Sequence, residues 1–297
     1  MRLLLFLFTN LLMVLSISLV VGLLTALGLL PPDLPLLPLA IACFLWGMVG
    51  AWLSLQFSAE SARRVMGVQL LDPDARGDWL VATVAALAQR SGLPMPQVGV
   101  YDSPEWNAFA TGPSPQRALV AVSSGILAGM PEAELEAVLA HELSHVANGD
   151  MVTMTLLQGV VNAFVLFLAR AIVILLPRSS KDGERQAPPP QALIWPLELL
   201  LGIAGSLLTA WFSRHREFRA DAGAAQLTAP AAMAGALARL EQASGLVDRR
   251  DSGSLNAFKI AAPDGWRLLF ASHPPIAARI RALQVLDPGG AATAWLR

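Results

Sequence analysis

Charge is scarce in this chain. Only 14% of its 297 residues are Asp, Glu, Lys or Arg, against about 25% in an ordinary soluble domain. Hydrophobic residues make up 55%, a balance that belongs in a bilayer. The one cysteine, Cys43, lies inside an apolar run, which excludes a disulfide framework and any cysteine-based metal site. A formal net charge of −1 offers nucleic acid no electrostatic attraction. There is a single tyrosine, Tyr101, no internal repeat and no nucleophilic serine motif.

What is abundant is uncharged length. Leu3 to Leu30 runs 28 residues without a charge, longer than the roughly 7–15-residue core of a cleavable signal. Pro31-Pro32-Asp33-Leu34-Pro35 follows it where a small-residue cleavage site would stand. It reads as an uncleaved first span, and a second runs from about Leu37 to Phe57. The linker between them holds no Lys or Arg, whereas Arg2 precedes the pair and Arg63 and Arg64 follow it. The positive-inside rule therefore puts the linker outside, and the N-terminus and the region after Phe57 in the cytoplasm.

Two later stretches, Met151 to Leu176, which contains Arg170, and Leu193 to Phe212, which contains Glu198, either cross the bilayer or lie buried in the protein or the interface; their length favours crossing. Those two charges would face the bundle interior, against each other. The expected organisation is thus two N-terminal transmembrane helices (1–57), the first part of a polar domain (58–150), two spanning helices around a polar linker at 177–192 (151–212), and the second part of the polar domain (213–297).

Within the polar parts, Asp78 to Ser91 has helical periodicity and stops at Ser91-Gly92-Leu93-Pro94. Short β-like runs follow at Gln97–Tyr101, Ala108–Thr111 and Leu119–Ser123, separated by turn-forming segments. Helix resumes at Pro131-Glu132-Ala133-Glu134, where early glutamates favour the positive end of the dipole. After Phe212 the spacing predicts helix to about Leu246, a loop over Asp248–Asp264, and a last helix around Pro275–Leu286.

The helix after Pro131 carries His141-Glu142-Leu143-Ser144-His145. Histidines at i and i+4 share one face, so both imidazoles can reach a single ion, and zinc accepts such nitrogen ligands. A glutamate between them can take a proton from water at that ion. Catalytic zinc needs a third protein ligand. No histidine follows in Val146-Ala147-Asn148-Gly149-Asp150-Met151, so the metzincin arrangement is excluded. His215 and His273 are the remaining histidines, and Glu184, Glu198, Glu217 and Glu241 are the downstream carboxylates. Glu217 stands out because Asp221 lies one turn beyond it, where a carboxylate can accept a ligand histidine's other N–H. The polar ends of the motif place zinc at the mouth of a helical hairpin, each ligand within about 10 Å of an apolar stretch.

With those residues in hand the chain resembles the HtpX family of bacterial membrane zinc endopeptidases, relatives of the CAAX prenyl endopeptidase. The resemblance rests on His141–His145 with Asn148-Gly149-Asp150, on Ser213 to Asp221, on Asn107 to Gly112, and on Ser272-His273-Pro274-Pro275. It implies an α-helical integral membrane protein of about four spans with an α+β gluzincin-like protease domain. It further implies one zinc per chain held by His141, His145 and Glu217, Glu142 as general base, and Asp221 behind a ligand. The implied activity is cleavage of misfolded or surplus membrane proteins on the cytoplasmic side of the bacterial inner membrane. His273, Asn107, Arg219 and His215 are candidates for stabilising the oxyanion or touching substrate, and Asn107 to Gly112 reads as an edge strand able to pair with it. Nothing in the sequence specifies an oligomeric state.

Two other classes compete. A site-2-type intramembrane protease embeds its metal helix in an apolar span, but Glu132, Glu134, Glu136 and Asp150 flank this one. A membrane scaffold with structural zinc would need a fourth protein ligand, which only His215 or His273 could supply without cysteine.

Overall fold

The computed structural model describes residues 36–74, 78–176, 191–247 and 273–286. The expected first span, Glu184 with most of the 177–192 linker, and the 248–264 loop lie outside these residues. The chain divides into two compact units, residues 1–54 with 155–209 and residues 55–154 with 210–297.

The first unit is built on helix α1 (Leu36–Gln56), most of α6 (Asp150–Leu175) and the first part of α7 (Ile194–Leu227). Among the described residues these three are the helices long and apolar enough to cross a membrane. Small residues let α1 and α6 meet closely: a Cβ on Gly47 would fall 2.8 Å from the Gly159 carbonyl oxygen. Leu36, Ala40 and Cys43 then bury against Phe167 and Ala171. Arg170 reaches across from α6 to α7 and donates to Glu198 at 2.6 Å, the pairing expected of two opposite charges set between apolar helices.

The second unit is an α+β domain. Its sheet runs β1 (Gln69–Leu70), β2 (Gln97–Tyr101), β4 (Leu119–Ser123) and β3 (Ala108–Thr111), in that spatial order. β2 and β4 are parallel; the two outer pairs are antiparallel. The three longer strands coincide with the β-like runs of the sequence. β1, with two residues, is too short to show alternation and is not legible there.

Helix α3 (Trp79–Arg90) starts where Asp78 accepts hydrogen bonds from the Leu80 and Val81 N–H groups. Short α4 (Ser124–Gly129) follows β4, and α5 (Glu132–Asn148) carries the histidine pair. Leu139 and Leu143 of α5 are fully buried among Val84 and Leu87 of α3, Val120 and Val122 of β4, and Leu237 of α8 (Pro230–Val247). Gly149 ends α5 with φ +67°, a left-handed cap that glycine adopts freely, and α6 begins at the next residue.

The sequence separates the fourth apolar stretch from the Glu217 segment at Phe212; in the structure both lie on the single 34-residue helix α7. The break instead falls between Leu227 and Pro230, where proline suits the first position of a new helix. The last helix, α9 (Ile276–Val285), matches its expected range within a residue, and a short helix α2 (Ser58–Met66) precedes β1.

Candidate metal centre

Two helices build the site. α5 presents His141, Glu142 and His145 on adjacent positions of one face, and the last part of α7 presents Glu217 and Asp221 one turn apart. They come close because Gly223 has no side chain: a Cβ there would sit 2.5 Å from Ser144 Oγ. Ser144 directs that hydroxyl back to the Ala140 carbonyl at 2.7 Å, which keeps it from competing for the site.

His141 Nε2 and His145 Nε2 converge to 3.1 Å. Glu217 completes the cluster, with Oε2 3.6 Å from His141 Nε2 and Oε1 3.4 Å from His145 Nε2. A tetrahedral zinc at ligand distances of about 2.0–2.2 Å sets its donor atoms roughly 3.3–3.6 Å apart. The nitrogen and oxygen set therefore fits a zinc-sized cation. His141 and Glu217 are buried, at 6% and 2% exposure, so water does little to screen them.

The other ring nitrogens face carboxylates. His141 Nδ1 lies 3.0 Å from Asp221 Oδ1, the position the sequence suggests for Asp221. His145 Nδ1 pairs with Asp150 Oδ2 at 2.8 Å. The His145–Asp150 hydrogen bond turns that ring's Nε2 inward, whereas His141 Nδ1 approaches Asp221 closely without hydrogen-bond geometry. Each aspartate is held by an arginine in turn, Asp150 by Arg219 and Asp221 by Arg279.

Burial opposes charge on both histidines, yet the surrounding carboxylates prevail: Asp221 and Glu217 raise the pKa of His141, while Asp150 and Glu217 push His145 up to about 9. Burial likewise opposes ionisation of Glu217, but His141, His145 and His273 hold it well below the usual carboxylate range. The carboxylates around the two imidazoles thus give the site a field that attracts cations. Glu142 behaves differently. Burial raises its pKa, and the two histidines only partly offset this, the direction that suits a proton-transfer group.

Glu142 also accepts a hydrogen bond from the Ala110 N–H of β3. β3 is an edge of the described sheet, so this N–H points away from β4, and Ala108, two residues earlier, points the same way. A cavity of about 160 Å³ adjoins these groups, lined by Trp106, Asn107, Ala108, Glu142, Met233 and His273 among others.

The candidates from the sequence are not all brought together. His273, largely exposed, bonds through Nδ1 to Glu217 Oε2 at 2.8 Å. Asn107 lines the cavity. Arg219 is exposed and pairs with Asp150. His215 is exposed and rests on Trp211, with ring centroids 4.4 Å apart. Glu198 is committed to Arg170, and Glu241 is exposed. Tyr101 is buried against Phe109.

Sequence reasoning misses the parts played by Asp150, Arg279 and the Ala110 N–H. Asp150 enters the sequence reading as part of Asn148-Gly149-Asp150 and as an acid flanking the motif helix, and Arg279 only as a cation six residues past His273. Neither signal names a partner.

Comparison with known proteins gives a consistent result. The model for peptidase family M48 matches residues 74–287. Protease HtpX of Aeromonas hydrophila subsp. hydrophila is 45% identical over 292 residues, covering 95% of this chain and 99% of that protein. The Protease HtpX homolog of Methylacidiphilum infernorum is 48% identical over 248 residues, covering 80% of this chain and 82% of that one. Among solved structures, the crystal structure of S. mikatae Ste24p is similar with a TM-score of 0.60 at 21% identity. That likeness concerns the fold: it covers 85% of this chain but only 59% of the Ste24p chain.

Proposed function

The chain belongs to peptidase family M48, and on that premise we propose that this membrane-bound metalloprotease hydrolyses peptide bonds with one zinc ion held by His141, His145 and Glu217. The observation that carries the reading is the convergence of those three donors, all within 4.8 Å of one another, beside a glutamate that none of them uses. When bound, the ion supplies a Lewis acid that polarises the scissile carbonyl and acidifies water beside it.

The chain's own residues do the rest. The Glu142 carboxylate accepts the proton of the attacking water and returns it to the leaving amide nitrogen. Its raised pKa brings it nearer to the operating pH, which helps both halves of that exchange. Asp150 fixes the orientation of the His145 imidazole, and Asp221 stands against that of His141. His273 and Asn107, at the rim of the cavity, are the groups we assign to the developing oxyanion and the substrate backbone. Ala108 offers outward main-chain groups, so an extended substrate can add to β3 as a further strand. Main-chain pairing makes the recognition tolerant of sequence.

The same reading makes 58–150 and 213–297 one gluzincin-like protease domain on four spans, with Leu3–Leu30 as the first. The arginine bias around the first two spans supports a cytoplasmic active site at the inner membrane. The protease relatives and the short path from each ligand to an apolar segment support misfolded or surplus membrane proteins as substrates.

The test uses purified full-length protein. Wild type should hold one zinc per chain and cleave an unfolded, membrane-tethered polypeptide. Phenanthroline should stop cleavage and zinc should restore it. Glu142→Gln should retain the zinc and lose at least about 10²–10⁴-fold in rate, whereas Glu217→Ala should lose both and Glu241→Ala neither. Cleavage by a metal-free preparation would overturn the chemistry. A preference for soluble folded proteins would remove the membrane-substrate role alone.

A further inference from the structure

Helix α2 begins two residues after the apolar helix α1 ends at Gln56, and none of its residues is buried. Its Ala59 rests on the cluster of Val68, Tyr101, Leu119 and Ala121 that Phe109 also touches. Its outward side is peculiar. Phe57, Ser61 and Val65 follow one another at i, i+4 spacing and so form one stripe, with Phe57 60% and Val65 81% exposed. A helix in water gains nothing from presenting this stripe, but one at the acyl boundary does.

Arg64 lies beside the stripe, at i+7 from Phe57, whereas Arg63 is on the side of the helix away from it. Arg63 and Arg64 are exposed on the same helix, and exposed Arg117 donates to Gln56 Oε1 at 2.8 Å. α2 itself carries one carboxylate, Glu60, 3.7 Å from Arg63 and 2.6 Å from Arg64. Positive charge is therefore in excess where the chain leaves a candidate span.

We propose that α2 is an interfacial helix that binds an anionic phospholipid surface: Phe57 and Val65 enter the acyl boundary while Arg64 and Arg117 meet lipid phosphates. Two arguments select this occupant. The stripe starts one residue beyond an apolar helix of spanning length, so the chain delivers it to the depth where headgroups meet acyl chains. Its excess charge is complementary to anionic lipid. The proposal rests on α1 crossing the membrane, not on the metal chemistry. It has a consequence for the peptidase reading, because α2 packs on β3. Lipid contact would then hold the substrate strand at the surface where tethered polypeptides emerge.

The test uses the full chain with Cys43→Ser, carrying an environment-sensitive fluorophore at Val65→Cys or, as a control, at Ala133→Cys, which is exposed among Glu132, Glu134 and Glu136. Each is placed in nanodiscs of phosphatidylcholine with or without phosphatidylglycerol. Doxyl-labelled lipid should quench the probe at 65 at least about threefold more than the probe at 133, and more with a phosphatidylglycerol carrier than a phosphatidylcholine one. Arg64→Gln with Arg117→Gln should abolish that headgroup preference while hydrolysis of a soluble peptide continues. Equal quenching at the two positions, or quenching blind to headgroup charge, overturns the proposal. So does protection of position 65 in detergent that grows with protein concentration, which would assign the stripe to a second copy. None of these outcomes touches the zinc assignment, whose own failure would appear as chelator-resistant cleavage.

Discussion

Arg279 lays two N–H groups on Asp221, Nε on Oδ2 at 2.7 Å and Nη2 on Oδ1 at 2.6 Å. The two side chains are buried, at 6% and 2% exposure, and Asp221 in turn faces His141 Nδ1. A cation 58 residues downstream in sequence thereby holds the carboxylate that stands against His141. Burial alone would raise the pKa of Asp221, but Arg279 and His141 hold it down.

Removing Arg279 should therefore act through the metal. Arg279→Met leaves a buried carboxylate without its partner, and zinc affinity should fall roughly 10–100-fold, as for Asp221→Asn. Arg279→Lys keeps the charge but not the fork and should fall between. Chelator competition on the purified variants measures this, and an unchanged affinity in Arg279→Met would show that Asp221 needs no support.

Gly223 is the spacer between the two ligand-bearing helices. In Gly223→Ala the new methyl meets Ser144 Oγ at 2.5 Å and Ser144 Cβ at 2.9 Å, so the helices must part. Overpacking of this kind typically costs about 1–3 kcal/mol. The expected result is a lower melting temperature together with weaker zinc binding, and Ser144→Gly in the same chain should restore much of both. Gly202, where a Cβ would meet nothing within 4 Å, is the control, and its alanine variant should bind zinc normally.

The metal-free protein should depend on pH in a defined direction. His145 moves from 6.5 when free to about 9 in the fold, so its contribution to stability is complete below pH 6.5 and is lost as pH rises through about 9. Glu217 and Asp221 are depressed, so theirs is present above the ordinary carboxylate range and lost as pH falls through their lowered values. The melting temperature of the stripped protein should thus decline on the alkaline side. Zinc affinity should rise over the same window, by up to about tenfold per pH unit for each proton displaced. Calorimetry at several pH values measures both trends, and a stripped protein that gains stability between pH 6.5 and 9 would contradict the assigned field.

The Arg170–Glu198 pair should matter for stability rather than chemistry. Glu198→Gln takes the carboxylate charge from a partly buried pair and leaves Arg170 its hydrogen bond to the Leu166 carbonyl, so stability should fall, by less than the about 3–5 kcal/mol typical of breaking a fully buried pair. Thermal inactivation in detergent should accelerate, and Arg170→Met with Glu198→Met should recover most of the loss. Equal inactivation of the single and double variants would mean the pair is not what matters there.

The sequence by itself determined the local patterns from which the candidate site is built. Two histidines one turn apart with an intervening glutamate are a local pattern, and helical geometry turns that spacing into a shared face without outside help. Uncharged runs long enough to cross a bilayer are equally local, as are the three longer strands, whose limits follow from turn residues beside them. Only the tertiary structure decided which distant groups complete the site. β2 lies parallel to β4 because the chain crosses over through β3, which ends at the edge beside Glu142. Asp150 serves His145, Arg279 serves Asp221, and Gly223 sets the approach of α7 to α5, none of which periodicity can reveal. The physical reason is range. Backbone hydrogen bonding and amphipathic spacing act over a turn or two, whereas buried charges take whichever partner packing brings within reach.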